Sequence, residues 1–389
     1  MIEYKLSDDT WSNEEIEAIN RVINSNRFSM GKEVEEYERK FSEKVGSKYA
    51  VMSNSGSSAN LLAIAALVYS GKLSSGDEVI VPAVSWSTTF FPVAQHNLKL
   101  RFVDIDVNTF NIDVSILENA ITDRTKAIFS VNLLGNPCEY GKILEVCKKY
   151  NLILIEDNCE ALGGLYKEKQ LGTIGLLGTY STFYSHHLCT MEGGVTVTDD
   201  EELYHYLLSI RAHGWTRNLP SNSKIYAKSN DDFYESFNFI MPGYNLRPIE
   251  MEGAIGIEQL KKFDKIIEQR KKNAKYFIER IKDVKYIRPQ KEVGDSSWFG
   301  FGMLLNDELD IRKQVVEALK KNNIEVRPVV AGNFTKNIAV KYLDYEIYGN
   351  LVNADIIHKN GFFVGNHSKD NRKEVDMLID VLKGILNER

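Results

Sequence analysis

Short apolar runs alternate with amphipathic patterns through the first half of the chain, and this alternation limits the possible folds more than any other feature. The runs have the length of strands, and the patterns between them have the length of helices. Strands separated by helices pair in parallel through crossovers, so the sequence predicts an α/β fold with a mostly parallel sheet covered by helices. The predicted strands cover residues 78–82, 100–104, 126–133 and 152–155, and the predicted helices between them cover 87–96, 113–121 and 139–150.

The last third of the sequence has a different pattern. A long helical stretch at residues 251–284 is followed by two strand-like segments and three helical ones, which predicts a smaller α+β domain. A chain of 389 residues is long enough for two domains. We therefore expect a large domain over residues 1–255 and a small α+β domain over residues 256–389. The helix predicted at residues 12–26 is a candidate to pack on the small domain.

Composition argues against several classes of partner. The net charge is −6, whereas a protein that binds nucleic acid needs a basic surplus to match the phosphate backbone. No run of about 18 uncharged apolar residues occurs, so we expect no membrane span. The first nine residues lack the basic and then apolar pattern of a secretory signal. The sequence therefore predicts a cytoplasmic protein.

The cysteines do not indicate a metal site. They are widely and irregularly spaced, and none belongs to a Cys-x-x-Cys pair. Reduced and mostly buried thiols are the expected state in the cytoplasm. The cysteines are Cys138, Cys147, Cys159 and Cys189.

One stretch carries most of the functional information. Residues 181–194 read Ser-Thr-Phe-Tyr-Ser-His-His-Leu-Cys-Thr-Met-Glu-Gly-Gly, and no lysine occurs between Lys169 and Lys224. Two adjacent histidines beside a turn are most often packing or surface residues. The stretch nevertheless resembles the cofactor segment of the DegT/StrS-type sugar aminotransferases, in which a lysine precedes Glu-Gly-Gly by six residues. The residue six positions before Glu192 is His186.

This resemblance implies a fold-type-I transferase that depends on pyridoxal 5'-phosphate but has no tethering lysine. Within the family, the 3-dehydratases of nucleotide-linked 4-keto-6-deoxy sugars carry histidine at this position. Imidazole cannot tether the cofactor covalently, but it can act as base and acid. We therefore expect His186 to be catalytic and the pyridoxal or pyridoxamine phosphate to be held non-covalently. His187 and the stretches 213–217 and 327–333 resemble the same subgroup, which favours a natural histidine over an engineered replacement.

A turn rich in serine and glycine lies before the helical pattern of residues 60–69. The start of a helix presents free backbone N–H groups and a positive dipole end, which suit an anion. Helix capping without a ligand is the alternative interpretation. In the family this turn holds the cofactor phosphate, so the resemblance assigns phosphate contacts to Gly56, Ser57 and Ser58. It also makes Ser181 a second phosphate contact.

Three residues near predicted strand ends complete the cofactor site that the resemblance implies. Trp86 occupies the position that stacks on the cofactor ring, although a core position is the alternative. Asp157 ends a buried run, where it either caps a helix or serves as counter-ion of the pyridinium nitrogen. Glu160 lies where the family often has Gln or Glu near the ring hydroxyl.

Four more residues are candidates for contacts with the substrate or with a second subunit. The family counterpart of Asn245 meets the phosphate site of the neighbouring chain, which implies a homodimer with shared active sites. His213 and Arg217 could reach the mouth of the site, or could complement the dipole of the preceding helix. Arg327 could bind a carboxylate or diphosphate bidentately, or could form a surface salt bridge.

The implied reaction is C3 dehydration of a nucleotide-linked 4-keto-6-deoxyhexose, with glutamate as amino donor and release of ammonia. GDP-4-keto-6-deoxy-D-mannose is the favoured substrate. A CDP-linked sugar is the alternative, although a related CDP-sugar 3-dehydratase holds an iron–sulfur cluster on grouped cysteines that this chain lacks. A sugar aminotransferase and a non-catalytic cofactor-binding regulator remain further alternatives, and assaying ammonia and the sugar product separates them.

Overall fold

The computed structural model of the protein describes residues 3–306 and 310–387. The strands in this part are β1 (Tyr49–Ser53), β2 (Glu78–Pro82), β3 (Lys99–Val103), β4 (Thr125–Val131), β5 (Ile153–Asp157), β6 (Leu165–Tyr166), β7 (Lys169–Gln170), β8 (Leu177–Ser181), β9 (Gly194–Thr198), β10 (Ile287–Pro289), β11 (Gly300–Leu305), β12 (Tyr345–Ile347) and β13 (Gly361–Gly365). The helices are α1 (Asn13–Ser25), α2 (Lys32–Val45), α3 (Gly56–Tyr69), α4 (Ser87–Gln95), α5 (Leu117–Ala120), α6 (Tyr140–Tyr150), α7 (Glu201–Arg211), α8 (Asp232–Glu235), α9 (Glu250–Ile281), α10 (Arg312–Lys321), α11 (Val352–Asn360) and α12 (Arg372–Leu386).

The main sheet confirms the predicted α/β class. Within the described residues it has eight strands in the order β1-β9-β8-β5-β4-β2-β3-β12, and only β9 runs against its neighbours. Alternate residues of each central strand enter different cores. Val79 and Phe129 join the core that includes α3 and α7, while Ile80 and Ile128 join the core that includes α6. Both faces of the sheet are therefore covered, which explains the continuous apolar runs.

Three predicted elements differ from the structure, each for a local reason. The helix predicted at 113–121 shrinks to α5, because the Asp113 carboxylate accepts the Ser115 N–H (2.9 Å) and hydroxyl (2.6 Å) in a turn that competes with helix. Helix α3 begins at Gly56, earlier than predicted, with Ser55 as its N-cap. The strand expected at 324–327 is reduced to two isolated bridges.

The C-terminal part contains the predicted smaller α+β unit. Strands β10, β11 and β13 form an antiparallel sheet in that order, and α10, α12 and the end of α9 pack on it. In its core the rings of Phe277 and Phe301 stack with centroids 4.3 Å apart. Tyr4 is fully buried in the same core, and its hydroxyl donates to the Gly365 carbonyl at 2.7 Å. The N-terminal segment thus belongs physically to the small unit.

Helix α9 joins the large unit to the small unit. The domain boundary predicted between residues 255 and 256 falls within this helix. Helix α1 packs on the start of α9 through Ala18, Val22 and Ala254. Strand β12 pairs with β3 in the main sheet, and Val329 and Leu351 lie in the core of the large unit. Part of the C-terminal range therefore returns to the large unit, and the sequence boundary stays a prediction. Among the described residues, no helix has the length and apolarity needed to cross a membrane.

Candidate active site

A cavity of about 670 Å³ opens at the carboxyl ends of the parallel strands. Val131, Asp157 and Ser181 are the last residues of β4, β5 and β8, and all three line it. This edge is where open α/β sheets place their ligand sites. The small unit and the N-terminal segment close the other side. Their wall residues are Leu6, Ser7, Phe299, Glu325, Arg327, Pro328, Val330 and Phe363.

The first turn of α3 forms one end of the cavity. The side chain of Ser55 caps the helix by accepting the Ser58 N–H at 3.1 Å, and Gly56 and Ser57 line the wall. Ser181 lies beside them, because a Cβ on Gly56 would be 2.6 Å from the Ser181 Cβ. The turn therefore presents backbone N–H groups and hydroxyls to one spot, as an anion requires.

Ser58 occupies a different position from its neighbours. Its hydroxyl donates to the Asn54 side chain at 2.6 Å and its residue lies outside the cavity wall. The structure thus brings Gly56, Ser57 and Ser181 together in the wall, while the phosphate contact predicted for Ser58 stays a prediction.

The Glu-Gly-Gly motif has a packing reason that the sequence alone did not reveal. A Cβ on Gly194 would lie 2.2 Å from the Ser55 carbonyl oxygen and 2.6 Å from the Gly56 nitrogen. Strand β9 therefore lies directly against the start of α3, which only glycine allows. The motif fixes the position of the helix terminus relative to the sheet.

Replacing Gly194 with alanine is expected to lower the free energy of unfolding by about 1–3 kcal/mol, because the methyl group would displace the start of α3. Urea denaturation measures this effect. The Gly384→Ala variant is the matched control, since a Cβ there meets nothing within 4 Å in α12. If both variants were equally stable, the close approach would not constrain the site.

Asp157 is buried at the base of the cavity, 6% exposed. Its Oδ2 accepts hydrogen bonds from the Asn60 amide (2.9 Å) and the Thr89 hydroxyl (2.7 Å), and its Oδ1 accepts the Cys159 N–H (3.1 Å). All three partners are neutral donors, so the described chain orients the carboxylate without neutralising it. A buried carboxylate of this kind fits a cationic group of a ligand.

Aromatic and acidic groups surround Asp157. Trp86, the residue before α4, is 58% exposed and contributes its indole to the cavity wall. Glu160 also lines the cavity and accepts the Leu134 N–H at 2.9 Å. Burial, together with the nearby charge of Asp157, raises the pKa of Glu160 to about 7. Cys159 lies between the two carboxylates as a further wall residue, which sequence reasoning treated only as a buried thiol.

His186 lines the cavity with its ring packed against the small unit. The ring centroid is 5.0 Å from that of Phe299 and 5.9 Å from that of Phe183. Burial lowers the pKa of His186 to about 3, and the nearby Arg270 guanidinium contributes to this shift. The imidazole is therefore uncharged at neutral pH, which is the form that accepts a proton.

His187 has a separate structural position. It is 1% exposed and lies outside the cavity wall, and its Nε2 is 3.2 Å from the Ser297 carbonyl oxygen, to which it donates. The two adjacent histidines thus point to different surroundings. His186 faces the cavity, and His187 holds a segment of the small unit.

The pKa of His186 predicts a pH-dependent stability. When the chain unfolds, the histidine regains its ordinary pKa of 6.5, so below that pH the unfolded state binds more protons and stability falls as pH falls, down to about pH 3. The slope for one proton is at most about 1.4 kcal/mol per pH unit. Glu160 acts in the opposite sense between its ordinary pKa of 4.5 and about 7.

The informative quantity is therefore the difference in unfolding free energy between the wild type and the His186→Asn variant, measured by urea denaturation without cofactor. We expect the wild type to lose stability relative to the variant as pH falls from 7.5 to about 5. A difference independent of pH would contradict the buried neutral imidazole.

Three predicted contact residues lie outside the cavity wall of the single chain. The His213 N–H donates to the Tyr244 carbonyl at 2.7 Å, and the Arg217 guanidinium lies 5.1 Å from the ring of Trp215. The side chain of Asn245 accepts a hydrogen bond from the Arg247 side chain at 3.0 Å. The structure does not bring these residues to the cavity in one subunit, so their substrate or intersubunit roles stay predictions.

Arg327, in contrast, lies in the cavity wall, where its backbone pairs with Phe363. Glu325 lines the same wall, and its carboxylate accepts the Leu6 N–H at 2.8 Å. Sequence reasoning missed Glu325, Leu6 and Ser7. None of them belongs to a motif, and only the docking of the N-terminal segment on the small unit places them here.

The chain is similar to known proteins in both sequence and structure. The chain is 55% identical over 388 residues to the GDP-4-keto-6-deoxy-D-mannose 3-dehydratase of Escherichia coli O55:H7, an alignment that covers 98% of this chain and 100% of that protein. The crystal structure of a histidine-to-asparagine variant of GDP-4-keto-6-deoxymannose-3-dehydratase with bound GDP-perosamine superimposes with a TM-score of 0.96 at 54% identity, covering 98% of this chain and 100% of the other.

A second structure of that enzyme, with a trapped PLP-glutamate geminal diamine, has the same TM-score of 0.96, the same 54% identity and the same coverage of 98% and 100%. These likenesses confirm the fold-type-I architecture of a pyridoxal-phosphate-dependent enzyme. The sequence model of the DegT/DnrJ/EryC1/StrS aminotransferase family matches residues 9–383 of the chain. The chain therefore belongs to the DegT/DnrJ/EryC1/StrS aminotransferase family.

Proposed function

We propose that the protein catalyses the C3 dehydration of a GDP-linked 4-keto-6-deoxyhexose, with pyridoxal or pyridoxamine phosphate held non-covalently. One observation carries this proposal. His186 lies in the cavity wall, and no lysine among the described residues lines that cavity. A member of an aminotransferase family without a tethering amine keeps a proton-transfer group but cannot bind its cofactor through a covalent link.

The relatives support the choice of substrate and donor. A solved relative has GDP-perosamine bound, and another traps an adduct of pyridoxal phosphate with glutamate. Because the likeness extends over 98% of this chain, we assign a GDP-linked sugar and glutamate to it as well. The names of two relatives, 55% and 53% identical to this chain, support GDP-4-keto-6-deoxy-D-mannose as the substrate.

The cavity fits the cofactor. The N-terminus of α3, with Ser57 and Ser181, would hold its phosphate, and Trp86 offers a flat apolar wall for its ring. Asp157 supplies the negative charge that a protonated ring nitrogen requires. When bound, the cofactor supplies an electron sink for a carbanion beside its ring.

His186 performs the proton transfers in this proposal. Its neutral imidazole takes a proton at the carbon next to the cofactor ring and then gives a proton to the departing C3 hydroxyl, which leaves as water. The reaction replaces C3–OH with C3–H, a two-electron reduction, and glutamate is the reductant. The balance is one sugar and one glutamate converted to one deoxy sugar, one 2-oxoglutarate and one ammonia.

The decisive experiment supplies purified protein with pyridoxal phosphate, glutamate and GDP-4-keto-6-deoxy-D-mannose. We expect ammonia and 2-oxoglutarate in equal amounts, together with a 4-keto-3,6-dideoxy sugar. A stable 4-amino sugar as main product would show an aminotransferase instead, and no turnover of any keto-sugar would indicate a binding protein. Parallel reactions with the CDP-linked sugar test the nucleotide.

We also propose a homodimer with shared active sites. The side chains of Phe233 (89%) and Phe237 (74%) are exposed on the segment that follows Trp215, and the Phe237 ring is 5.7 Å from that of Trp215. Asn245 pairs with Ala212, three residues before Trp215. Exposed apolar side chains of this kind suit a subunit interface, and the family resemblance predicts that Asn245 reaches the partner's phosphate site. A second copy of the chain is therefore its proposed occupant.

Mixing two inactive variants tests the sharing of sites. His186→Asn and Asn245→Ala subunits, combined in equal amounts and allowed to exchange, are expected to recover about a quarter of wild-type activity, because half of the dimers then contain one intact site. Each variant mixed with itself is the control. If the mixture stayed inactive although native mass spectrometry showed hybrid dimers, Asn245 would act within its own subunit.

A further inference from the structure

The segment that bears His186 has no regular structure and no covalent anchor. It covers residues 182–193 between β8 and β9. Its ends are joined by the Thr182 N–H, which donates to the Gly193 carbonyl at 2.9 Å. Within the segment, the Thr190 N–H donates to the Thr182 carbonyl at 2.9 Å, and the hydroxyls of these two residues are 2.6 Å apart. In lysine-bearing relatives a covalent bond to the cofactor would fix such a segment. Here the position of the imidazole depends on contacts within the protein alone.

Two hydrogen bonds from distant parts of the chain hold the backbone of Cys189, three residues after His186. Its N–H donates to the Gln259 Oε1 at 3.0 Å, and its carbonyl accepts the Trp11 Nε1–H at 3.0 Å. Leu188, the residue before Cys189, is fully buried. Gln259 and Trp11 therefore hold both polar groups of the Cys189 backbone, which lies outside the cavity wall.

Gln259 is built into this position. It is fully buried in α9, and its amide uses every hydrogen-bonding valence. Besides Cys189, Oε1 accepts the Thr10 hydroxyl (2.8 Å), while Nε2 donates to the Thr10 carbonyl (3.2 Å) and to the Glu15 carboxylate (2.6 Å). Glu15 is itself buried and paired with Lys262 at 2.7 Å. A fully satisfied buried network of this kind is rigid.

We infer that Gln259 and Trp11 are positioning residues for His186: by holding the Cys189 backbone, they place the imidazole at the cavity in the absence of a covalent tether. Neither residue lines the cavity. The inference deepens the proposed function and rests on it for its catalytic part, while the bracing itself is a structural statement. Displacements of about 1 Å at a catalytic group can cost about 100-fold in rate.

The test uses Gln259→Met, which keeps a similar side-chain length and removes the acceptor together with the amide donors, and Trp11→Phe, which removes the indole donor and part of the ring. Gln259→Met is expected to lower kcat about 10–100-fold while the Kd for pyridoxal phosphate, measured by fluorescence titration of the apoprotein, stays within about 3-fold. Hydrogen exchange followed by mass spectrometry should accelerate in peptides covering 185–192 and stay unchanged in β4 and β5. Trp11→Phe should shift both readouts in the same direction by a smaller factor.

Gln269→Met, the same change ten positions further along α9, is the matched control, because within the described residues the Gln269 side chain donates to Asn273 and not to the segment of His186. The inference is overturned if both test variants keep wild-type kcat and wild-type exchange in 185–192. It is also overturned if exchange rises everywhere, because that pattern indicates general destabilisation. A wild type that released no ammonia would instead refute the proposed function, and the exchange experiment would still decide the bracing.

Discussion

The His186→Asn variant is expected to lose at least about 1,000-fold in kcat while its affinity for pyridoxal phosphate changes little. General acid–base groups contribute typically about 100- to 10,000-fold, and the proposed mechanism uses this one imidazole for two proton transfers. Asparagine is smaller than histidine but also polar and uncharged, so the substitution removes the imidazole, together with its ring contact to Phe299, without adding a charge to the cavity. Release of ammonia from glutamate and the GDP-linked keto-sugar measures turnover, and a fluorescence titration of the apoprotein measures affinity.

His358→Asn is the matched control for this variant. His358 is exposed on α11 and does not line the cavity, so the same substitution there should leave both readouts unchanged. An active His186→Asn enzyme would show that another group moves the protons, and a large loss of cofactor affinity would show that the imidazole mainly shapes the cofactor site.

The Asp157→Asn variant, unlike His186→Asn, is expected to lose cofactor affinity as well as turnover. The amide keeps the size of the carboxylate but carries no charge, and its NH₂ group would face donors at Asn60 or Thr89. A hydrogen bond to a charged group contributes roughly 1.5–3 kcal/mol, so the Kd for pyridoxal phosphate should rise about 10–100-fold. The electron-accepting capacity of the ring falls as well, so kcat should decrease even at saturating cofactor.

Asp355→Asn, on α11 outside the cavity wall, provides the comparison, because its carboxylate pairs with Lys336 on a partly exposed surface. Titration and turnover are measured at the same cofactor concentrations for both variants. Unchanged affinity in Asp157→Asn would mean that the buried carboxylate serves only to cap the turn at Cys159.

The sequence predicted the sheet well because its strands are buried on both faces. The run at Glu78–Pro82 is wholly buried in the structure, and such runs are visible without any knowledge of their neighbours. Strand β13 was missed for the converse reason. Its few apolar residues follow α11 directly, and only the pairing with β11 and the position of Arg327 beside it reveal a strand.

The end of the cavity proposed to hold the cofactor was more predictable than the rest of the wall. Gly56, Trp86, Asp157 and His186 follow strands whose carboxyl ends meet at one edge, and the structure places all four in one wall. Ser7, in contrast, belongs to the N-terminal segment, which reaches the cavity only because it docks on the small unit. The burial of polar residues such as Gln259 could not be predicted from the sequence either, since a glutamine on a predicted helix is usually exposed.

The docking of Tyr4 beside Gly365 has a consequence for how this protein reaches its native state. The two residues are 361 positions apart, and the cavity wall combines Leu6 and Ser7 with residues from Phe299 onward. Contacts this distant in the chain form slowly, because a large loop must close before they contribute any stability. The large unit can therefore fold around its sheet first, whereas the cavity wall is complete only after the N-terminal segment has docked on the small unit. Removing the first seven residues should leave the sheet intact and yet abolish the closed wall.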